Sequence, residues 1–222
     1  MKDKVVWFLV CCCFCIKGVL GQTPGSPVKD IDGNVYQTVV IGDQIWMQSN
    51  LMVEHFCNGD PILTGTDTLI WTNLEYSMMS VQNGDKVFAK KYGYLYNLYA
   101  VKDEKQLCPV GWRIPSEYDW DKLTSHLGGN LLAGGKLKSS VGWNESKIKG
   151  QNTVKFNALP GGYRFANAMY GLEGVVGFWW TSDLFEADNG WARYINWDDN
   201  QLYRANYDKY CGFSVRCVKS NL

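Results

Sequence analysis

The placement of its eight cysteines constrains this chain more than any other feature. Four of them, Cys11, Cys12, Cys13 and Cys15, lie inside an apolar run, Val5–Ile16, just behind Lys2 and Lys4. A bilayer span takes about 20 apolar residues, so this run is too short to cross and has the length of a signal-peptide core. Gly18-Val19-Leu20-Gly21 follows, and cleavage before Gln22 is expected, with residues 1–21 as the signal peptide. Lipidation would want a small residue just before the modified cysteine. Val10, Cys11, Cys12 and Phe14 occupy those places, so the four cysteines read as small hydrophobes lost with the leader. The chain is expected to be exported, to the periplasm, the cell surface or the medium.

The other four cysteines, Cys57, Cys108, Cys211 and Cys217, are spread over the remainder. An even count in an exported chain reads as two disulfides. Residues 212–218 (GFSVRCV) read as an extended strand, which sets Cys211 and Cys217 about 20 Å apart at ~3.3 Å per residue. A disulfide needs Cα atoms within about 7 Å, so these two do not pair with each other. The residues alone leave the other two connectivities open.

Without residues 1–21, 19 basic residues face 21 acidic ones, a net charge of −2. No basic excess points to nucleic acid or an anionic membrane surface. No apolar stretch after the leader is long enough to span a membrane. Nine of the ten tryptophans lie after residue 21. With no fixed-period repeat and no internal linker, the chain divides into a signal peptide, a short Pro- and Gly-bearing tether over 22–29, and one domain over 30–222.

The local patterns give an α+β reading. Asn34–Ile41 and Gln44–Met47 are rich in β-formers on either side of Gly42-Asp43, a hairpin. Residues 58–92 are irregular, and Tyr92–Tyr99 alternates aromatics as an extended segment would. Ser116 and Asp119 are placed as a helix-capping pair, Trp120, Leu123 and Leu127 mark one helical face, and Gly128-Gly129 ends it. A second helix is expected over Leu131–Lys138. Residues 178–182, 191–197 and 201–203 read as strands.

Seven segments, in order, resemble the Fibrobacter succinogenes major paralogous (FISUMP) family. They are Asp32-Gly33-Asn34 leading to Gln44–Leu51, Tyr92–Asn97 (YGYLYN), Leu107–Pro115 (LCPVGWRIP), Lys136–Lys138 (KLK), Phe156–Arg164 (FNALPGGYR), Trp179–Ser182 (WWTS) and Ser214–Val218 (SVRCV). The resemblance covers about residues 30–219. It implies a C-type-lectin-like layout, shared with formylglycine-generating enzymes: a twisted antiparallel sheet, two flanking helices and long loops. It also implies a Cys108–Cys217 bridge, both cysteines lying in recurring segments, and leaves Cys57 and Cys211 to each other as a second.

Lectins of that fold hold sugar through calcium bound partly by a Trp-Asn-Asp run, which Trp197-Asp198-Asp199-Asn200 echoes. Between two strands, however, Asp-Asp-Asn is ordinary turn chemistry, and no Glu-Pro-Asn partner exists. His55 and His126 are the only histidines, which leaves little for a zinc site or a Ser-His-Asp triad; His126, near the helix end, is expected to cap it. The acids Glu173, Asp183, Glu186 and Asp188 single out no pair for glycoside hydrolysis. Cys211 and Cys217 mimic the thiol pair of the formylglycine generators, but Cys217 is better explained as structural.

Surplus aromatics carry the site expectation. Trp46, Trp112, Trp120 and Trp179 fall in recurring segments and read as core. Trp71, Trp191, Trp197, Tyr203 and Tyr207 lie outside them and are the candidate ligand-binding residues, because such rings stack on sugars and anchor interfaces. The expected function is a non-enzymatic binding module for a glycan or surface protein, with no cofactor, no metal and no nucleic-acid partner. The alternatives are a metal- or thiol-dependent enzyme akin to the formylglycine generators, and a structural subunit of a surface assembly.

Overall fold

The computed structural model describes residues 23–220 except 66, 74, 146 and 147. The expected signal peptide and its four cysteines lie outside the described residues. Along the chain run β1 (Pro24–Lys29), β2 (Val35–Ile41), β3 (Gln44–Met47), β4 (Leu63–Thr64), α1 (Thr68–Asn73), β5 (Met78–Ser80), α2 (Val87–Tyr92), β6 (Leu95–Tyr96) and α3 (Leu98–Lys102). There follow β7 (Trp112–Arg113), α4 (Glu117–His126), α5 (Asn130–Leu137), β8 (Gly161–Arg164), β9 (Tyr170–Glu173), β10 (Val176–Glu186), β11 (Asn189–Asn196), β12 (Leu202–Asp208) and β13 (Val218–Lys219). The class is α+β, with most regular structure in sheets. One five-stranded sheet has the order β1-β2-β3-β13-β7, a second β12-β11-β10-β8-β9, and a small third β4-β5-β6. No described helix is long and apolar enough to cross a membrane.

The expected hairpin is β2–β3. Ile41 pairs with Gln44 across the two-residue turn, and Gly42 takes the positive φ of 63° that such a turn asks for. Residues 24–29, expected as a tether, are instead β1, paired antiparallel with β2. Pro24 and Pro27 are tolerated because β1 is an edge strand, where a missing N–H need not break the ladder, and the register slips between Gly25 and Val28.

Helix α4 forms as its ends dictate. The Ser116 side chain accepts from the Asp119 amide, and the Asp119 carboxylate accepts from the Ser116 amide at 2.7 Å. Trp120, Leu123 and Leu127 are buried, facing Trp46, Phe156 and Trp179. The Trp46 and Trp120 rings are 5.0 Å apart, and Phe156 sits 5.7 Å from Trp46. The second helix, α5, starts one residue earlier than expected. A separate core gathers Tyr96, Trp180, Phe213 and Val215. Trp179 and Trp180 enter different cores because neighbouring strand residues point to opposite faces.

Two segments differ from expectation. Tyr92–Tyr99 is not one strand: Tyr92 closes α2, only Leu95–Tyr96 pair, and the Asn97 side chain accepts from the Ala100 amide at 3.0 Å to start α3. Between them, Gly93 has a φ of 77° and no room for a Cβ, which would stand 2.6 Å from the Leu51 carbonyl. Likewise 212–218 is not one ladder. Gly212, Phe213 and Ser214 make single bridges to Arg164, Tyr96 and Trp179, and only Val218–Lys219 form a strand. This extended strap runs between the sheets, so its pairing partners change at each step.

Cys108 and Cys217 are joined, with Cα atoms 6.0 Å apart. The expected second bridge does not form: Cys57 and Cys211 are free thiols. Their surroundings are disjoint. The Cys57 amide donates to the Gln106 carbonyl and its thiol to the Cys108 carbonyl. Cys211 is buried after β12, its amide donating to the Asp208 carbonyl.

Candidate functional site: a tyrosine cluster on the second sheet

Strand register decides which aromatic rings meet. Phe178 on β10 pairs with Tyr194 on β11, and Tyr194 pairs with Tyr203 on β12. Gly190 pairs with Tyr207, four residues from Tyr203 and therefore on the same face. From β8, running parallel to β10 with Gly162 beside Gly177, Tyr163 falls next to Phe178. Phe178 is the hub: Tyr163, Tyr194 and Tyr207 stand 4.8, 4.9 and 5.3 Å from it, ring centre to ring centre. Phe213 of the strap stacks on Phe178 at 4.7 Å and 14° and closes the other side.

Phe178 is only 5% exposed, whereas the four tyrosines are half-buried. Tyr194 is stacked between Phe178 and Tyr203, the latter at 4.8 Å and 11°, so what it offers outward is its edge and hydroxyl. The Tyr203 hydroxyl donates to Asp199 Oδ2 at 2.6 Å, and that bond, with some burial, pushes its pKa up to about 12. The hydroxyls of Tyr163, Tyr194 and Tyr207 make no hydrogen bond among the described residues. Burial raises all three phenol pKa values; Tyr207 is raised further by Tyr194 and Tyr163 beside it. They stay neutral through the physiological range, able both to donate and to accept. Three phenol rings whose hydroxyls make no hydrogen bond among the described residues thus surround the Phe178 ring.

The expected site residues do not converge. Trp71 is fully buried, its Nε1 donating to the Tyr210 carbonyl at 2.6 Å and its ring covered by the Arg164 guanidinium at 4.1 Å; it is core, not a ligand platform. Trp191 lies on the opposite face of the sheet, occupied by Phe185 at 4.9 Å and the Arg204 guanidinium at 3.5 Å. Trp197 belongs to the β11–β12 turn, where its amide donates to Val175. Only Tyr203 and Tyr207 belong to the cluster.

Tyr163, Phe178, Tyr194 and Phe213 were missed. Tyr163 lies in a recurring segment and Phe178 beside one, and nothing in the local sequence sets either apart from the other aromatics. Tyr194 was legible in principle, since it stands as far before the 198–199 turn as Tyr203 stands after it.

Asp198-Asp199-Asn200 is the turn joining β11 to β12. The buried Lys138 ammonium donates to the carbonyls of Trp197 and Asp199, and Asp199 Oδ1 accepts from the Gln201 amide. A lysine therefore supplies the positive charge here. Three of the scattered acids have separate partners: Glu173 accepts from the Tyr92 hydroxyl, Asp183 from the Glu117 amide, and Asp188 pairs with Lys209; the fourth, Glu186, ends β10. His55 Nδ1 is 2.5 Å from Asp32, and the His126 ring lies against Gly42. No group of three or more metal-ligating side chains occurs among the described residues. Burial, then Asp208, pushes the Cys211 thiol up to about 12, and burial, then Asp30, raises Cys57. Neither is poised as a thiolate, and Cys217 is tied to Cys108.

Taken together these features define a sheet-rich α+β domain with one disulfide among the described residues and a half-exposed tyrosine cluster. The Fibrobacter succinogenes major domain matches residues 39–219, from inside β2 to the end of β13, and the chain belongs to that family. No curated protein and no solved structure matches it.

Proposed function

We propose that this protein is a non-catalytic binding module that takes a glycan on the Tyr163–Tyr194–Tyr207 face. The observation that carries the reading is the set of three tyrosines around Phe178 whose hydroxyls make no hydrogen bond among the described residues. On a half-exposed face such hydroxyls bond to water, and a ligand carrying its own hydroxyls can replace that water without losing the hydrogen bonds. A sugar has the matching chemistry: apolar C–H faces for aromatic rings and hydroxyls that both donate and accept. A C-type-lectin-like layout agrees with the adjacent helices α4 and α5 beside curled sheets. Export agrees with the Cys108–Cys217 disulfide and the basic, apolar N-terminus.

The test is a glycan array with the full chain, followed by calorimetry of any hit against Tyr163→Phe, Tyr194→Phe and Tyr207→Phe. Each substitution removes only a hydroxyl that makes no hydrogen bond among the described residues. Affinity should fall by about three- to tenfold per ligand hydrogen bond lost, with melting temperature unchanged. An array without binding, or hits insensitive to all three changes, would refute the reading.

A further inference from the structure

The two large sheets have four edges, and three of them are blunted. β1 carries Pro24, Pro27 and a register slip. β7 is two residues long. β9 is four residues, with Leu172 in the left-handed region at φ 61°. β12 differs: its seven residues pair with β11 in unbroken register from Leu202 to Asp208, with no proline and no bulge. Edges of that kind are templates for another strand.

The hydrogen-bond phase shows what β12 offers. The Lys209 amide donates to the Asp188 carbonyl at 2.8 Å, which makes 188 and 209 a hydrogen-bonded pair. By alternation, Tyr203, Ala205 and Tyr207 turn their backbone groups to β11, and Arg204, Asn206 and Asp208 turn theirs outward. Those three residues are exposed. Of their outward backbone groups only the Asp208 carbonyl has a hydrogen-bond partner among the described residues, the Cys211 amide.

We propose that β12 pairs antiparallel with β12 of a second copy of this chain, about a two-fold axis at Asn206. Charge selects the occupant and the register. A pairing centred on Arg204 sets two arginines directly opposite each other. One centred on Ala205 sets Leu202 against the partner's Asp208. Centring on Asn206 places Arg204 opposite the partner's Asp208, and symmetry repeats the pair. Opposite charges directly across a strand pair stabilise it, and like charges destabilise it. The Arg204 guanidinium lies on the Trp191 ring and its Nε donates to Glu117, while its terminal nitrogens make no hydrogen bond among the described residues. Pairing would join two five-stranded sheets into one of ten strands. On the aromatic face Tyr207 would stand across from the partner's Ala205, so the two tyrosine clusters adjoin. The pairing does not depend on what those clusters bind.

Sedimentation velocity of the full chain over a concentration series should show a monomer–dimer equilibrium. Asn206→Pro removes an outward N–H that makes no bond to β11, so it should give a monomer with unchanged circular dichroism. Asp208→Arg sets like charges opposite and should weaken association by about tenfold. Hydrogen exchange on the unmodified chain should show the amides of 204, 206 and 208 becoming protected as concentration rises. These last two measurements decide the matter if Asn206→Pro does not fold. A monomer at every concentration, a dimer indifferent to both substitutions, or exchange of those amides independent of concentration would each overturn the proposal.

Discussion

Removing the Cys108–Cys217 bridge tests the connectivity and its energetic weight together. The bond links residues 109 apart in sequence, tying the strap before β13 to the approach to β7. In the chain-entropy account, a loop of about 100 residues is worth about 4.7 kcal/mol, through the freedom it denies the unfolded chain. For a domain of this size each kcal/mol moves the melting temperature by roughly 2–4 °C, so the expected loss is roughly 10–20 °C. Cys108→Ala/Cys217→Ala should show it by calorimetry, and reductant should lower the unsubstituted protein by a similar amount while leaving the double variant unmoved. Cys57→Ala/Cys211→Ala is the control. Cys211 is buried but unbridged, so this pair should cost only about 1 kcal/mol of packing. Equal losses in the two double variants, or a Cys57–Cys211 peptide in a non-reducing map, would refute the argument.

Two further outcomes follow from buried polar groups. Burial would raise the Asp119 pKa, but hydrogen bonds from Arg113 and Ser116 more than offset it and hold the carboxyl below its ordinary range. A depressed carboxylate stabilises the fold above its unfolded pKa of about 3.9, and that contribution is lost as pH falls through the folded value. Asp119→Asn should therefore cost about 1–2 kcal/mol at neutral pH, and the gap in melting temperature from the parent should shrink by pH 3; a constant gap would contradict this. The fully buried Arg216 bridges Asn50 Oδ1 and the Phe156 carbonyl and lies 4.2 Å over the Phe156 ring. Lysine lacks the planar fork for that geometry, so Arg216→Lys should cost about 2 kcal/mol or more in urea unfolding, and an unchanged midpoint would show the bridge to be dispensable.

The features legible in the sequence are local ones. The β2–β3 hairpin, the caps and buried stripe of α4, the Asp-Asp-Asn turn and the separation of Cys211 from Cys217 were all legible, because each depends on residues within one turn or a few strand positions. Even there, Asn97 overrode an aromatic alternation by capping a helix, and two prolines did not keep residues 24–29 out of an edge strand.

Which aromatics are available depends on long-range packing. Trp71 and Tyr207 were indistinguishable in sequence, but Trp71 is enclosed by Arg164, whose guanidinium donates to the carbonyl of Gly65, 99 residues away. The tyrosine cluster draws on β8, β10, β11 and β12, with the strap beneath it. Its existence depends on strand order and register across the second sheet. The same holds for the thiols: Cys57 and Cys211 stay apart because the segments bearing them pack among different neighbours. Pairing between distant segments is set by the whole core, and no short window of sequence contains it.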